Sequence, residues 1–484
     1  MRHALLPAAL MLAARAAAQP APIADAEFRA RRDALVAALP AGAALVAFGE
    51  RDEIGFPAFF QSPNFRYLTG LDEPNAVLLL VPGAGAPGTL FRQVRPPAEI
   101  LFNGPLEDSA RVRQRTGLAV RALPQFAGVV DSLLAAGRSV YVIHDTRPYG
   151  GVVDSLTRAV AFVGALRRRA PAPHVEWADS LVLALRAKKS DTELALVRES
   201  ARITSESVND AIRGIRPGQH EYSVQAAIEA GFRARGGDTH TGFATNVSAG
   251  EHATTAHHRA AGAPLEAGQL VLMDVGAAYE GYSADLTRTV PVNGAFSPAE
   301  REIYQLVRDA QAAAERAATL GAPGGAMEDS ASATIARGLA RLGLIESPDA
   351  SFDPPWAERC ARNARACRQS YFFYFHGVGH GIGLDVHDPT QHAGARPIAP
   401  GDAFTIEPGI YVDARRLALL ADTPKNRAFV AKARGVIAKY DGVGVRVEDD
   451  YVATARGVER ITSAVREIDE IEALMRGGQR AERP

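Results

Sequence analysis

Residues 376–388 read His376-Gly-Val-Gly-His-Gly-Ile-Gly-Leu-Asp-Val-His-Asp388. Glycine occupies every second position from Gly377 to Gly383, which argues against a helix, because each interior glycine costs about 1 kcal/mol there. We therefore expect an extended segment, in which His376 and His380 share a face but lie about 13 Å apart at 3.3 Å per residue. Because this distance is too long for both imidazoles to bind one ion, only one of them can be a ligand of a given metal.

Four other segments each place one carboxylate among apolar residues or glycines in a strand-like pattern. An ionised carboxylate in such surroundings is costly unless it is paired with a cation or bound to a metal. Four occurrences in the C-terminal half of one chain favour a common explanation. The carboxylates are Asp274 in residues 270–276, Asp285 in residues 283–287, Glu407 in residues 404–409 and Glu448 in residues 444–449.

The charges of these side chains indicate a centre with two divalent metal ions. Four carboxylates balance two dications, and a neutral imidazole leaves that balance unchanged. A ligand set rich in oxygen favours a hard ion such as manganese, although zinc and cobalt also fit. Two ions about 3.5–4 Å apart can share a bridging water, lower its pKa and hold the carbonyl that the resulting hydroxide attacks. The residues therefore predict metal-assisted amide hydrolysis.

The spacing of the carboxylates is compatible with one site. The residues between Asp274 and Asp285 include two glycines and suit antiparallel strands joined by a turn, although such a hairpin could form without a metal. In residues 442–448, Arg446 and Glu448 share one strand face, because side chains two apart point the same way. Arg446 can thus orient Glu448 or neutralise part of the carboxylate cage, and an ordinary ion pair within a strand would explain the same spacing.

The five segments resemble, in this order, the motifs of the pita-bread metallopeptidases, in particular the Xaa-Pro aminopeptidase (aminopeptidase P) and prolidase branch. The matching runs are D-V-G at 274–276, S-A-D-L-T-R-T-V at 283–290, H-G-V-G-H-G-I-G-L-D-V-H-D at 376–388, T-I-E-P-G-I-Y at 405–411 and V-R-V-E-D at 445–449. Residues 60–74 are similar to the lead-in to the non-catalytic domain of this branch. The resemblance implies an α+β fold, with a pita-bread catalytic domain at residues 184–484 after a smaller α/β domain at residues 19–183.

The resemblance also implies roles for individual side chains. The metal ligands for two divalent ions are Asp274, Asp285, His380, Glu407 and Glu448. Glu407 has a second role as the catalytic carboxylate that takes the proton of the attacking water. The other catalytic residues that we predict are His376, His387 and Arg446, and the substrate-binding residues are His257, His376, His387 and Tyr411. Two alternatives stay open, because His258 adjoins His257 and Tyr411 can equally be an aromatic residue of the core.

An aminopeptidase that removes the residue before a proline is the activity that the resemblance implies. Its partners would be peptides with proline in second position, and homo-oligomers, dimers or tetramers, are common in the branch. The first alternative is a prolidase, which would use the same metal centre on Xaa-Pro dipeptides. Others are a non-catalytic peptide-binding relative and a metal-free hydrolase of the creatinase type, both of which predict lost ligands, whereas all five are present here.

Charge balance and the N-terminal sequence indicate which partners are excluded and in which compartment the protein is expected. The 54 basic and 55 acidic side chains leave no charge excess for a nucleic-acid partner. No uninterrupted apolar stretch reaches the roughly 20 residues of a membrane span. Residues 1–18 combine a basic start, a short apolar core and a small-residue cleavage site, which predicts a signal peptide and export to the periplasm or the exterior. A disordered alanine-rich tail is the alternative.

Local patterns predict the helices that surround the metal segments. Ser190 and Glu193 form a capping box at the start of an amphipathic helix, and we place the catalytic domain from this region onward. Further helices are expected at about 221–235, 298–319 and 327–342. Two insertions, at 348–369 and 415–439, lie between ligand-bearing strands and either shape the mouth of the site or decorate the surface.

Two cysteines, Cys360 and Cys367, are too few for a disulfide scaffold and have no metal-binding spacing. In a continuous helix their Cα atoms would lie about 10.5 Å apart, beyond the reach of a disulfide. Pairing would need a loop, and the sequence leaves this question open.

Overall fold

The computed structural model describes residues 19–51, 59–83, 88–144, 157–260, 262–392 and 394–481. The predicted signal peptide at residues 1–18 lies outside these ranges. Within them, no helix combines the length and the apolar character that crossing a bilayer requires.

The N-terminal part is a mixed α/β unit. Its elements are α1 Asp25–Ala38, β1 Ala43–Phe48, α2 Pro63–Thr69, β2 Val77–Leu80, β3 Thr89–Arg92, α3 Pro97–Asn103, α4 Ser109–Thr116, β4 Ala119–Ala122, a 3-10 helix Leu123–Gln125, α5 Phe126–Ala135, β5 Ser139–Ile143, α6 Arg158–Arg167, β6 Val175–Trp177 and α7 Asp179–Ala187. The strands form one six-stranded sheet in the order β4-β3-β2-β1-β5-β6.

Strand β1 shows how this sheet is covered on both faces. All six of its residues are buried. Its odd-numbered residues pack in one cluster with Leu35 of α1, and its even-numbered residues pack in another with Val163 of α6. This follows from the two-residue period of a strand, which sends successive side chains to opposite faces. The apolar run of β1 therefore specifies a central strand, as predicted for a small α/β domain.

The C-terminal part combines long helices with short antiparallel strands. Its elements are α8 Asp191–Gly214, α9 Glu221–Ala234, β7 Asn246–Ala249, a 3-10 helix Gly250–Thr254, β8 Leu270–Val275, β9 Ala278–Tyr279, β10 Tyr282–Ser283, β11 Leu286–Pro291, α10 Pro298–Ala317, α11 Gly325–Leu342, α12 Ala357–Arg362, 3-10 helices Ala364–Cys367 and Gln369–Phe372, β12 Ala403–Ile406, β13 Gly409–Tyr411, a 3-10 helix Ala414–Leu419, α13 Pro424–Tyr440, β14 Gly444–Arg446, β15 Asp449–Thr454, β16 Gly457–Arg460 and α14 Ile468–Ala481.

Three small sheets carry the segments of interest. Strand β8 lies between β11 and β7, β15 lies between β12 and β16, and β13 pairs with β14. Every pairing in these sheets is antiparallel. The predicted capping box opens α8, where Ser190 accepts from the amide of Glu193 and the Glu193 side chain accepts from the amide of Ser190. The α+β class and the helices of this part are confirmed.

The part of the segment at residues 376–388 that carries His376 and His380 is extended, as predicted, without forming a regular strand, whereas residues 383–387 bend and return Asp388 to the side of Gly381. It runs beside β12, where the carbonyls of Val378 and His380 accept from the amides of Glu407 and Thr405 at 2.7 and 2.8 Å. A Cβ atom at Gly379 would lie 2.0 Å from the carbonyl oxygen of Thr405. This glycine is therefore required for the close backbone approach that brings the histidines to the carboxylates.

The helix at the end of the N-terminal part holds the same histidine segment from the other side. Arg186 of α7 is buried, and its Nη2 donates to Oδ2 of Asp385 at 2.6 Å and to Asp388. Its Nη1 donates to Oδ1 of Asn64 at 2.7 Å. Nζ of Lys189 lies 2.9 Å from Oδ2 of Asp388. Through Arg186 and Asn64, these contacts connect the N-terminal part of the chain to the histidine segment.

The two insertions contain helical elements, and the cysteines pair in the first of them. Helix α12 ends at Arg362, so no continuous helix joins Cys360 to Cys367. Their Cα atoms are 5.3 Å apart and the residues form a disulfide. The second insertion contains α13 and is largely helical, as its sequence indicates.

Candidate metal centre

Asp274 and Asp285 come together through the predicted hairpin. Asp274 lies near the end of β8, and Asp285 directly precedes β11. The register of the two strands places Thr287 opposite Asp274, and the small β9–β10 hairpin makes the connection. Both carboxylates are almost fully buried.

Glu407 and Glu448 approach this pair from the other two sheets. Glu407 follows β12 and precedes β13, and Glu448 lies between β14 and β15. The pairing of β13 with β14 places Gly409 opposite Arg446, and the pairing of β12 with β15 places Ile406 opposite Asp449. These two registers set the two glutamates side by side at the junction of the sheets.

His380 completes the group. Its Nε2 lies 3.4 Å from Oδ2 of Asp285 and 3.3 Å from Oε1 of Glu407. One ligand atom each from Asp285, His380 and Glu448 lie within 4.8 Å of one another. Oδ1 of Asp285 and Oε1 of Glu448 are buried without a hydrogen-bond partner in the described part of the chain. Buried oxygens of this kind require a partner, and a cation provides one.

The electrostatics of the carboxylates also indicate that this group binds cations. Burial raises the pKa of Asp285 well above its ordinary value, and Glu448 and Asp274 raise it further. Burial raises the pKa of Glu448 as well, together with Glu407 and Asp274. Four carboxylates at this spacing repel one another unless cations lie between them. The donor set, four carboxylates and one imidazole, therefore fits two divalent ions.

Arg446 contacts two carboxylates of the cage, one directly and one through a threonine. Its Nη2 donates to Oδ2 of Asp274, whereas its Nε lies 3.8 Å from Oε2 of Glu448. Nε instead donates to the Thr287 hydroxyl at 3.0 Å, and that hydroxyl donates to Oε2 of Glu448 at 2.6 Å. Arg446 thus offsets the charge of Asp274 directly and orients Glu448 through Thr287.

His376 and Tyr411 form the side of the site next to Glu407. Nδ1 of His376 lies 3.9 Å from Oε2 of Glu407, and its Nε2 lies 2.9 Å from the Tyr411 hydroxyl. Burial and the charge of Arg446 lower the pKa of His376 to about 3, so the imidazole is neutral. Burial raises the pKa of Tyr411. Tyr411 is fully buried, so it is a core aromatic residue and also a polar neighbour of the site.

His257 and His387 line the same cavity as the carboxylates, together with His376 and His380. The cavity has a volume of about 710 Å³. The ring centroids of His387 and His380 are 4.1 Å apart. Burial, with His380 and His257, lowers the pKa of His387 to about 4. All ten predicted site residues thus lie at or beside one cavity, and their individual roles stay predictions.

His258, the alternative to His257 as a substrate-binding residue, is held by another side chain. It also lines the cavity, but its Nε2 lies 3.1 Å from Oε2 of Glu221. His257 is therefore the better placed of the two neighbours for contact with a substrate.

Sequence reasoning missed two threonines that hold the ligands. The hydroxyl of Thr405 lies 3.4 Å from Oε1 of Glu407 and accepts from the amide of His380 at 3.1 Å. The hydroxyl of Thr287 donates to Glu448 and accepts from Arg446. Each threonine lies two positions from a predicted ligand in the sequence. In an extended segment this separation places the two side chains on the same face, so the spacing could have indicated both threonines.

Comparison with known protein families assigns the chain to one of them. Residues 195–455 match Metallopeptidase family M24, which is more than half of the 484 residues. The chain belongs to metallopeptidase family M24. Residues 28–142 match the aminopeptidase P N-terminal domain. Both the predicted family and the predicted pita-bread fold are confirmed.

Individual M24 relatives are similar over most of the chain. The Xaa-Pro aminopeptidase of Escherichia coli (strain K12) is 32% identical over 464 residues, which cover 93% of this chain and 97% of that protein. The Xaa-Pro dipeptidase of Homo sapiens is 30% identical over 325 residues, 63% of each chain. The structure of Pseudomonas aeruginosa aminopeptidase PepP superposes with a TM-score of 0.77 and 30% identity, covering 95% of this chain and 99% of that chain. Aminopeptidase P from E. coli with the inhibitor Pro-Leu superposes with a TM-score of 0.76 and 28% identity, covering 95% of this chain and all of the other.

Proposed function

We infer that this protein is an Xaa-Pro aminopeptidase, which hydrolyses the bond between the first residue of a peptide and a following proline. The observation that carries this inference is that Asp274, Asp285, His380, Glu407 and Glu448 all line one cavity, in a chain similar to an Xaa-Pro aminopeptidase over 93% of its length. A peptide-binding relative without catalysis would not need to keep five candidate metal ligands, three of which, Asp274, Asp285 and Glu448, are buried.

The side chains around the cavity have different roles in the proposed reaction. Bound in the cage, divalent ions supply Lewis acidity and lower the pKa of water. Glu407 lies 3.9 Å from Nδ1 of His376 on the cavity wall, which places this carboxylate to receive a proton and pass it to the leaving amine. His376 is neutral and held by Tyr411, so it can position the substrate beside Glu407. His257 and His387 flank the same space.

The metal is proposed to be manganese. Four carboxylates and one imidazole form a hard, oxygen-rich ligand set, which manganese prefers over softer ions. Zinc and cobalt remain compatible with the same ligands, and a zinc-substituted form of E. coli aminopeptidase P has been solved with product.

Proline specificity follows from the chemistry of the substrate. Proline has no amide hydrogen and a fixed φ, so a pocket shaped around the Xaa-Pro bond can require the ring while tolerating many first residues. A free N-terminal amine would lie against the metal centre, so an acetylated peptide would be excluded. The second candidate is a prolidase, which the similarity to the human Xaa-Pro dipeptidase supports over 63% of the chain.

Two further properties are proposals from the sequence and the branch. Residues 1–18 direct export, so the mature chain begins at Gln19, and N-terminal sequencing of the exported protein tests this. The protein forms a homo-oligomer, a dimer or a tetramer, and its mass in solution tests this.

The function is tested with four matched peptides, Xaa-Pro-Yaa, Xaa-Pro, Xaa-Ala-Yaa and acetyl-Xaa-Pro-Yaa. We expect efficient release of Xaa from the first, weak action on the dipeptide and almost none on the other two. The double variant Asp285→Asn, Glu448→Gln is the control that shows that the cleavage depends on this cage. Preference for the dipeptide would transfer the assignment to prolidase, and equal cleavage of the alanine peptide would remove proline specificity.

A further inference from the structure

A second group of metal-binding side chains lies next to the catalytic cavity and shares no residue with the cage. It consists of Glu221, His252 and His258, and one ligand atom from each lies within 4.8 Å of the others. Glu221 is the first residue of α9, His252 lies in the 3-10 helix Gly250–Thr254, and His258 follows four residues after that helix. Three separate local elements thus direct one carboxylate and two imidazoles to one point.

The carboxylate of Glu221 is fully buried. Its Oε1 accepts from the amide of Ala249 at 2.8 Å and lies 2.8 Å from Nδ1 of His252. Its Oε2 lies 3.1 Å from Nε2 of His258. A buried carboxylate needs partners for its charge, and either N–H donors such as these imidazoles or a cation that the imidazoles share can provide them.

The arrangement of the two rings is compatible with a shared cation. The rings of His252 and His258 are stacked, with centroids 4.2 Å apart and planes 23° from parallel. An imidazole nitrogen that donates to Glu221 in one tautomer can ligate a cation in the other, so Nδ1 of His252 and Nε2 of His258 can hold one ion together with the carboxylate. The exposed fractions of the His252 and His258 side chains are 33% and 17%, so solvent can supply a further ligand.

We propose that Glu221, His252 and His258 form a separate zinc site that fastens the residues around His257 to the start of α9. Two imidazoles and one carboxylate are borderline donors of the kind that zinc binds. The catalytic cage has four carboxylates and one imidazole, so the two sites differ in their preferred metal. His258 lines the catalytic cavity beside His257, and zinc at this site would therefore fix the position of that predicted substrate-binding residue.

The test uses full-length protein whose catalytic cage is disabled by Asp285→Asn and Glu448→Gln, so that the second site is observed alone. Metal-stripped protein is dialysed against zinc and its metal content is measured. We expect about one zinc per chain in this background, and almost none when His252→Ala and His258→Ala are added. A matched control adds His174→Ala, which removes an exposed histidine that lies 3.3 Å from Glu176, and should keep the zinc.

X-ray absorption on the cage-disabled protein gives a second readout that needs no further variant. The zinc should have two imidazole ligands and oxygen. Absence of stoichiometric zinc in this background, or zinc retained after both histidines are replaced, would overturn the proposal, as would a ligand shell without imidazole.

Discussion

The hydroxyl of Tyr411 lies 2.9 Å from Nε2 of His376. Nδ1 of the same ring lies 2.8 Å from the carbonyl oxygen of Gly377, which can only accept, so Nδ1 carries the hydrogen and Nε2 accepts. The Tyr411 hydroxyl therefore donates to His376, while it accepts from Nη1 of Arg446 at 2.8 Å. Arg446, Tyr411 and His376 thus form a directional chain that orients a neutral imidazole towards the cavity.

Replacing Tyr411 by phenylalanine should break this chain without disturbing the metal. The ring still fills its buried place, but His376 loses its donor and its fixed orientation. We expect kcat to fall about tenfold to a hundredfold, equivalent to about 1.4–2.8 kcal/mol, with unchanged metal content. The control is Tyr440→Phe, which removes a buried hydroxyl bonded to Glu302 outside the cavity. Equal loss of kcat in both variants would show that the effect is general destabilisation.

His380 and His376 should respond differently to replacement. Nε2 of His380 lies 3.3–3.4 Å from two ligand carboxylates, whereas His376 contacts Tyr411 and lies 3.9 Å from Glu407. We expect His380→Ala to lower the metal content, and His376→Ala to keep the metal and lower kcat. Elemental analysis of both purified variants decides the question. Similar metal loss in the two would mean that the roles have been exchanged or shared.

The candidate ligands could be recognised because each of them lies in a local pattern. Asp274, Asp285, Glu407 and Glu448 occur in or directly beside short apolar strands, and a carboxylate is conspicuous there. The capping box of α8 could also be recognised from a local sequence pattern. These features depend on residues that are close in sequence, so periodicity and charge counting suffice.

The remaining features depend on registers between distant strands. Arg446 contacts Asp274, 172 residues away, because β13, β14 and β8 meet, and the strand-face rule alone did not indicate which carboxylate of the cage it would neutralise. Arg186 meets Asp385 across 199 residues. The disulfide forms because α12 ends between the two cysteines, and the sequence alone did not determine that end. Side-chain periodicity identifies the face of an element but not its distant partner.

Removal of the metal should destabilise the protein more at higher pH. Burial and neighbouring carboxylates raise the pKa of Asp285, Glu448 and Glu407 in the metal-free fold. A carboxyl whose pKa rises on folding binds its proton more tightly when folded, so metal-free protein loses stability as the pH rises above about 4, the ordinary value. Bound cations compensate the ionised groups.

The measurement is the unfolding temperature with and without a chelator. We expect a small difference at about pH 5 and a larger one at about pH 8, where a metal at a hundredfold excess over its Kd adds about 3 kcal/mol. The control is the Asp285→Asn, Glu448→Gln variant that also carries His252→Ala and His258→Ala, and its unfolding temperature should depend little on the chelator at either pH. A chelator effect that shrinks with rising pH would contradict this account.

Asp388 should stabilise the connection between the N-terminal part and the histidine segment. Burial alone would raise the pKa of Asp388, but Arg186 and Lys189 outweigh it and hold the pKa below its ordinary value. Asp388→Asn leaves Arg186 with one carboxylate fewer in a fully buried position. We expect a loss of about 3–5 kcal/mol in the free energy of unfolding near neutral pH.

The pH dependence of this loss follows from the direction of the shift. A carboxyl with a lowered pKa in the folded state stabilises the protein above its unfolded value of about 4, and this contribution is lost as the pH falls towards the folded value. The difference between wild type and Asp388→Asn should therefore shrink in acid. Denaturant unfolding at several pH values measures it, with Asp422→Asn as the control, because Asp422 is exposed and pairs with Arg427 at 2.8 Å. That surface replacement should cost less than about 1 kcal/mol, and an equal cost for both variants would remove the role assigned to Asp388.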